Sequence, residues 1–455
     1  MGYRGSAGGC LELESELQNR EFFVKKLFVW VIAVVVVNVS IVPGQAQAQT
    51  SQAFLQSRFD SYDKDSDGQI TKAEWHRPLL LRRLDQDGDG ALDIKEFRTA
   101  IELAVDGRSS KEQATEPWQP ATFAAKIPAE APITKESVLA AAQYSAAEKG
   151  ISFLVMYDGK TIYADYPNGG SPNRALELAS GTKSFTGVMA IAAIEDGLID
   201  SLDEKVCDTI TEWKNDPRKS QITVRNLLNL SSGIAANSLG SQRVPSYALA
   251  IESETKTKAG EKFEYGPVHF QCFGEFMRRK LKAHGSSGSP LDYLQRRIFD
   301  PLELRYQSWR KDEDGNPHLP SGASLTASAW AIYGEFIRLG GTWNGKQVIA
   351  KEALDQCFAG SPTNPSYGLT FWLNKPVTTA QRRSTRQVRF ATDDLTSVKK
   401  IPADLVFAAG AGKQRLYISR DAKLVVVRQA EGIIDALSGK HSGYSDVEFL
   451  SRLMK

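Results

Sequence analysis

The stretch "ELASGTKSFTGVMAIAAIEDG", Glu177 to Gly197, sets a serine three residues ahead of a lysine at the mouth of a long apolar run. Ser-x-x-Lys occurs five times in the chain, beginning at Ser61, Ser180, Ser253, Ser308 and Ser397. Of these, only Ser180/Lys183 opens a strongly apolar helical segment, which ends at Gly197. Residues three apart share a helix face, so the amine can reach the hydroxyl. Burial and the positive end of the helix both disfavour an ammonium, which brings the lysine toward the pKa of a useful base. A serine hydroxyl is a poor nucleophile until such a neighbour takes its proton. The other four copies read as helix caps with a surface lysine.

Around that stretch the chain is ordinary in bulk. It has 455 residues, 42% hydrophobic and 24% charged, enough for two or three domains with a sizeable core. A formal net charge of +2, with no basic stripe and no C-x-x-C, gives nucleic acid and zinc fingers no support. Lys25 and Lys26 precede the apolar "LFVWVIAVVVVNVSIV", and Ala46-Gln47-Ala48 follows as a cleavage motif. Residues 1–48 therefore read as an export signal, with an uncleaved anchor as the alternative. That places the protein in the periplasm, at the cell surface or outside the cell. Beyond the leader only Cys207, Cys272 and Cys357 remain, too sparse for a disulfide scaffold. They read as three buried small hydrophobes.

Residues 49–105 carry a repeat, "DKDSDGQITKAE" from Asp63 and "DQDGDGALDIKE" from Asp85. Each has carboxylates at positions 1, 3 and 5, glycine at 6, an aliphatic at 8 and glutamate at 12. Calcium is a hard ion that takes six to eight oxygens, and this spacing wraps them around it. Asp63, Asp65, Asp67, the Gln69 carbonyl and Glu74 form the first candidate set. Asp85, Asp87, Asp89, the Ala91 carbonyl and Glu96 form the second. Both resemble EF-hands, which implies a small all-α domain with structural calcium. The ten residues from Trp75 to Leu84 are short for the usual connection. They set ordinary face-to-face pairing in doubt and allow a compact, dockerin-like pair, with Ile70 and Leu92 in the short contact between the loops. Residues 106–134, rich in Pro, Ala, Ser and charge, read as a linker.

The remainder, 135–455, has strands at both ends and helices between. "ISFLVMY" and "TIYADY" flank a hairpin turn at Asp158-Gly159-Lys160. "LVFAAGAG", "QRLYISR" and "KLVVVRQA" precede a closing helix, "DVEFLSRLMK". The fold class is α+β: an antiparallel sheet built from both ends, flanking helices and a helical insertion.

"LASGTKSFTGVMAIAAIEDGLIDSLDEKV", "ITVRNLLNLSSGI", "FEYGPVHFQCFGEFMRRKL", "ASLTASAWAIYGEFIRLGGTWNGKQVI", "SYGLTFWL" and "AAGAGKQRLYISRDAKLVVVR" follow one another in order. Together they resemble the serine β-lactamase-related superfamily over residues 140–452. That group includes class C β-lactamases, D-Ala-D-Ala carboxypeptidases and family VIII esterases, and Ser-x-x-Lys is among its motifs. The resemblance implies Ser180 as nucleophile, Lys183 as its base and Tyr265 as the second proton-handling group. It places the third motif on Ala408, Ala409 and Gly410, and the oxyanion hole on the backbone N–H groups of Ser180 and Ala411.

Two departures narrow the substrate. Tyr-x-Asn reads Tyr265-Gly266-Pro267, and Lys-Thr-Gly reads Ala408-Ala409-Gly410. The cation expected to hold a β-lactam or peptide carboxylate is missing, which favours esters or small amides. One alternative is a β-lactamase or D-Ala-D-Ala carboxypeptidase that uses Lys413 or Arg415, whose directions on the strand the sequence leaves open. Another is a non-catalytic, calcium-dependent binding protein associated with the cell envelope. None of His76, His269, His284, His318 and His441 lies in H-E-x-x-H, and Ser180 lacks the G-x-S-x-G elbow. His269 reads as a packed histidine, with a place in the pocket as the alternative.

Overall fold

Asp158 and Gly159 have φ angles of +46° and +80°, the left-handed pair that closes a two-residue hairpin. They join β3 (Gly150–Tyr157) to β4 (Lys160–Asp165) in the computed structural model. The structure describes residues 56, 59–71, 73–74, 85, 87–98, 118–235, 244–376, 394–437 and 442–455. The leader at 1–48 and the start of the linker lie outside the described residues. Two compact units emerge: one holds the first acidic loop and the stretch from Gly90, and the other holds Asp87–Asp89 and the rest of the described residues.

In the first unit, β1 (Gln69–Thr71) pairs antiparallel with β2 (Ala91–Asp93), setting Ile70 opposite Leu92. Both side chains are buried, with Phe59 and Phe97 packed edge to face at 5.6 Å. The doubt about face-to-face pairing is thus corrected. Pairing requires only three residues within each loop, Gln69–Thr71 and Ala91–Asp93.

In the second unit, β5 (Trp372–Leu373), β6 (Val406–Gly410), β7 (Gln414–Ser419) and β8 (Leu424–Ala430) complete a six-stranded antiparallel sheet. Its order is β5-β6-β7-β8-β3-β4, so β8 and β3 join the two ends of the domain. Leu424 through Gln429 pair with Tyr157 through Ser152 before a bulge. Near-continuous Val, Leu and Ile in these strands suit burial on both faces.

Helices cover each face. On one side α1 (Lys135–Ala147) packs against α5 (Asp446–Leu453), whose Phe449 meets Phe153 at 5.5 Å and Tyr417 at 5.8 Å. On the other side α4 (Ala327–Arg338) packs on β3, β7 and β8, α2 (Lys183–Glu195) is tied to it, and α3 (Val268–Ala283) packs among the inserted helices. Gly334 of α4 sits so close to the sheet that a Cβ there would meet Val425 Cγ1 at 2.6 Å and Leu416 Cδ1 at 2.7 Å. Tyr333 of α4 donates from its hydroxyl to the Ser184 carbonyl at 2.9 Å, fixing α2 behind the sheet.

The linker reading needs correction in its second half. Trp118 Nε1 donates to Asp165 at 2.9 Å, Ala124 N to the Ile162 carbonyl at 2.9 Å, and Phe123 packs on Tyr163 at 4.8 Å. Ala131 and Ile133 are buried in the main core. Residues 118–134 are a strap held by separate contacts, with no repeating pattern for a periodicity reading to find. Cys207, Cys272 and Cys357 are all buried and unpaired.

The end of β6 is packed without slack, since a Cβ on Gly410 would fall 2.0 Å from the Leu178 carbonyl oxygen. Gly410→Ala should therefore push β6 away from the Ser180 turn and destabilise the domain by about 1–3 kcal/mol. Thermal unfolding of the variant beside the parent checks this.

Candidate active site and acidic loops

Ser180 lies on a single 3-10 turn, Ala179–Thr182, that runs straight into α2. Ala179 has a φ of +46°, a strained value for a residue bearing a side chain and one that clusters at functional sites. Behind the turn, a Cβ on Gly181 would meet the Trp330 ring at 2.9 Å, so glycine is needed for the turn to seat.

Lys183 Nζ is 2.9 Å from Ser180 Oγ and also donates to the Pro320 carbonyl at 2.9 Å. The side chain is only 4% exposed, and burial brings its pKa down to about 7. The rings of Tyr265 and Phe270 lie 5.0 Å and 5.3 Å from Nζ. Their π faces favour a cation, so they oppose the desolvation, which prevails.

Tyr265 precedes α3 and is hydrogen-bonded to the Ser180 side chain. Burial pushes its phenol up to about 12, with the Ser180 bond and the Arg415 charge pulling the other way. Near neutrality Tyr265 therefore keeps its proton while Lys183 can lose its own. The proton-accepting role divides from the proton-holding role on that basis.

His269 is packed, as its bland reading expects. Nε2 faces the Glu264 carbonyl at 2.9 Å, and Nδ1 faces Ser232 Oγ at 2.9 Å. A carbonyl can only accept, so Nε2 carries the proton and Nδ1 accepts from the serine hydroxyl. Burial lowers its pKa to about 4, so the ring is neutral. It ties the residue before Tyr265 to the Ser231-Ser232-Gly233 turn.

An aromatic cluster beside Tyr265 is a part of the site that sequence reasoning misses. Tyr265 stacks on Trp372 at 5.9 Å, Tyr367 meets Trp372 edge-on at 4.8 Å, and Phe263 lies 5.4 Å from Tyr367. The only sequence signal was "SYGLTFWL", a motif carrying no separate chemistry. Pro320 could not have been found, because its contribution is a backbone carbonyl.

Ala408, Ala409 and Gly410 lie on β6, and Ala411 opens the turn to β7. Strand alternation decides the two nearby cations. Leu416 faces α4, so Arg415 faces α5, where it makes a bidentate pair with Asp446 at 2.6 Å and 2.9 Å. Both members of that pair are fully buried. Lys413 Nζ lies 3.8 Å from the same carboxylate. Neither cation is presented on the α2 side of the sheet, so the carboxylate-binding role considered for them finds no geometric support.

In the acidic loops, ligand oxygens of Asp63, Asp65 and Asp67 all lie within 4.8 Å of one another, and those of Asp85, Asp87 and Asp89 do likewise. Asp63 Oδ2 accepts from Gly68 N at 2.9 Å, and Asp85 Oδ2 from Gly90 N at 3.0 Å. Asp63 Oδ1 is buried with no hydrogen-bond partner, an orphan that a cation would satisfy. The donor set therefore fits calcium. Glu74 stands slightly apart, held by Thr71 N and Oγ1 at 2.8 Å each and by Lys64 N at 2.8 Å. These bonds, those from Thr71 foremost, bring its carboxyl down to about 2 and keep it charged. Gln69 and Ala91 stand in β1 and β2, and Glu96 is buried beside Asp93.

Comparison with known proteins agrees with this architecture. Residues 136–430 match the family described as Beta-lactamase, and residues 55–81 and 79–101 match the EF hand family. Protein flp of Staphylococcus aureus strain MRSA252 is 23% identical over 224 residues, 45% of this chain and 44% of that protein. The chain thus spans less than half the length of the curated relatives it matches. A family VIII carboxylesterase superposes with a TM-score of 0.51 at 13% identity, covering 73% of this chain and 100% of that one. A penicillin-binding protein homologue from Caulobacter crescentus gives 0.51 at 14% identity, covering 68% and 94%. These structures speak to the fold alone. With well over half of its length inside the family's bounds, the chain belongs to the β-lactamase family of the serine-hydrolase superfamily, with an EF-hand motif ahead of that domain.

Proposed function

We propose that this protein is an exported serine hydrolase that forms an acyl-enzyme on Ser180 and acts on carboxylic esters or small amides. The observation that carries the reading is a buried Lys183 amine 2.9 Å from the Ser180 hydroxyl. With its pKa near 7, neutral Lys183 takes the serine proton as Ser180 Oγ bonds to the substrate carbonyl carbon. The N–H groups of Ser180 and Ala411 receive the developing oxyanion. Tyr265, still protonated, gives its proton to the leaving oxygen or nitrogen and is reprotonated from Lys183. Water then attacks the acyl carbonyl, and Ser180 recovers its proton as the acid departs.

The absent cation favours substrates uncharged beside the scissile bond, and the Tyr265–Trp372–Tyr367 wall suits an apolar group. Loss of a charge-assisted partner weakens recognition of a carboxylate by about 1.5–3 kcal/mol. Turnover of p-nitrophenyl butyrate should be at least about 10-fold faster than that of a chromogenic cephalosporin, on that same difference. Ser180→Ala should abolish the ester turnover. Cephalosporin turnover equal to ester turnover would contradict the substrate class.

The sign of the pH dependence follows from the base. Below about 7 Lys183 is an ammonium and cannot accept a proton, so kcat/KM should rise with pH through about 7 and then level. A profile flat from pH 5 to 9 would count against Lys183 as the base.

For the acidic loops we propose calcium held by Asp63, Asp65, Asp67, the Gln69 carbonyl and Glu74, and by the matching Asp85 to Glu96 set. The ion would cross-link each loop, with affinity on the order of 10⁻⁴–10⁻³ M, as in extracellular modules. Calorimetric titration of the full chain should show calcium uptake. Asp63→Ala should remove the first site and leave ester turnover intact.

A further inference from the structure

The turn Ala411–Lys413 contains two successive residues in the left-handed region, Gly412 at φ +71° and Lys413 at φ +63°. Glycine adopts this freely; a lysine does so only where its surroundings hold it. Two buried guanidiniums hold this turn by its carbonyls. Arg415 Nη1 donates to the Gly410 carbonyl at 3.2 Å and to the Gln414 carbonyl at 3.0 Å. Arg428 Nη1 donates to the Lys413 carbonyl at 2.9 Å. Gln414 ties the turn to β8, donating to the Ala430 carbonyl at 2.6 Å and accepting from Ala430 N at 3.1 Å.

The Gly410–Ala411 peptide is trans, so its C=O and N–H point in opposite directions. With the carbonyl turned to Arg415 on the β7 side, the Ala411 N–H is turned to the outer edge of β6. Beyond Val406 and Phe407, which pair with β5, no strand pairs with that edge among the described residues, and the Leu178 carbonyl of the turn that carries Ser180 lies against Gly410. We propose that Arg415, anchored by Asp446, is a positioning residue that aims and polarises the Gly410–Ala411 peptide as an oxyanion donor. A guanidinium on the carbonyl draws electron density through the peptide and makes its N–H a stronger donor. The same burial that removes Arg415 from substrate recognition gives it this second role.

This inference rests on Ser180 being the nucleophile, and the test separates the two. The parent, Ser180→Ala, Arg415→Lys and the neutral double variant Arg415→Met/Asp446→Leu are compared on p-nitrophenyl butyrate. Rates are taken per active site titrated with a fluorophosphonate, so partial misfolding does not count. Lysine keeps a charge beside Asp446 but lacks the planar fork that reaches both carbonyls. The double variant removes both members of the fully buried pair together, so it keeps the test open if Arg415→Lys does not fold. Losing a whole oxyanion donor lowers kcat by about 10²–10³, so loosening one should lower it about 10–100-fold, with KM nearly unchanged. The infrared carbonyl stretch of the trapped acyl-enzyme should move to higher frequency as the hole weakens. Unchanged kcat per titrated site with an unchanged stretch would overturn the inference alone. Parent turnover that survives Ser180→Ala would overturn the nucleophile reading, and this inference with it.

Discussion

An amine kept out of water beside a hydroxyl is the constraint around which this domain is arranged. Lys183 starts α2, and its Nζ is enclosed by Ser180, the Pro320 carbonyl and the rings of Tyr265 and Phe270. Pro320 and the Tyr265–Phe270 segment are both distant in sequence from Lys183, so the lysine is desolvated only when the domain is assembled. Trp330 beneath Gly181 and Tyr333 on the Ser184 carbonyl then fix the turn and the helix to α4. Burying an ionisable group is unfavourable unless it neutralises, and neutralising it is what a base near pH 7 requires. On the proposed mechanism, the destabilising feature of the core and the reactive one are the same.

The sheet does the complementary work. Because β8 pairs with β3, the two ends of the domain close on each other, and β6 comes to lie beside the Ser180 turn. Alternation along β7 then sorts the side chains: Leu416 goes toward α4, while Arg415 and Tyr417 go toward α5. The charges near the third motif are consumed on the side of the sheet away from α2. On the α2 side, among the described residues, Lys183 stands beside aromatic rings and the backbone of β6.

Much of this was legible in the residues. The apolar run after Ser180, the Asp158-Gly159 turn and the three closing strands each have a local pattern, and each formed as that pattern implies. The acidic loops were legible for the same reason, since their spacing is the coordination geometry. Tyr265 came only through resemblance, because a tyrosine ahead of a helix has no local signature of reactivity. What stayed hidden depends on contacts distant in sequence. The direction of Arg415 required the β7 register, Pro320 acts through its backbone, and residues 118–134 pack without a repeat. The contact of Ile70 with Leu92 was legible from position 8 of each loop, while the short connection between the loops hid that they pair face to face.

The central claim is that the Ser180 hydroxyl is the activated nucleophile, and chemical labelling tests it without a known substrate. The full chain would be treated with a fluorophosphonate near pH 8, and the adduct located by mass spectrometry of its peptides. The account predicts one adduct per chain, on Ser180, lost in a Lys183→Ala protein that remains folded. An adduct on another serine, or none on the folded parent, would contradict it.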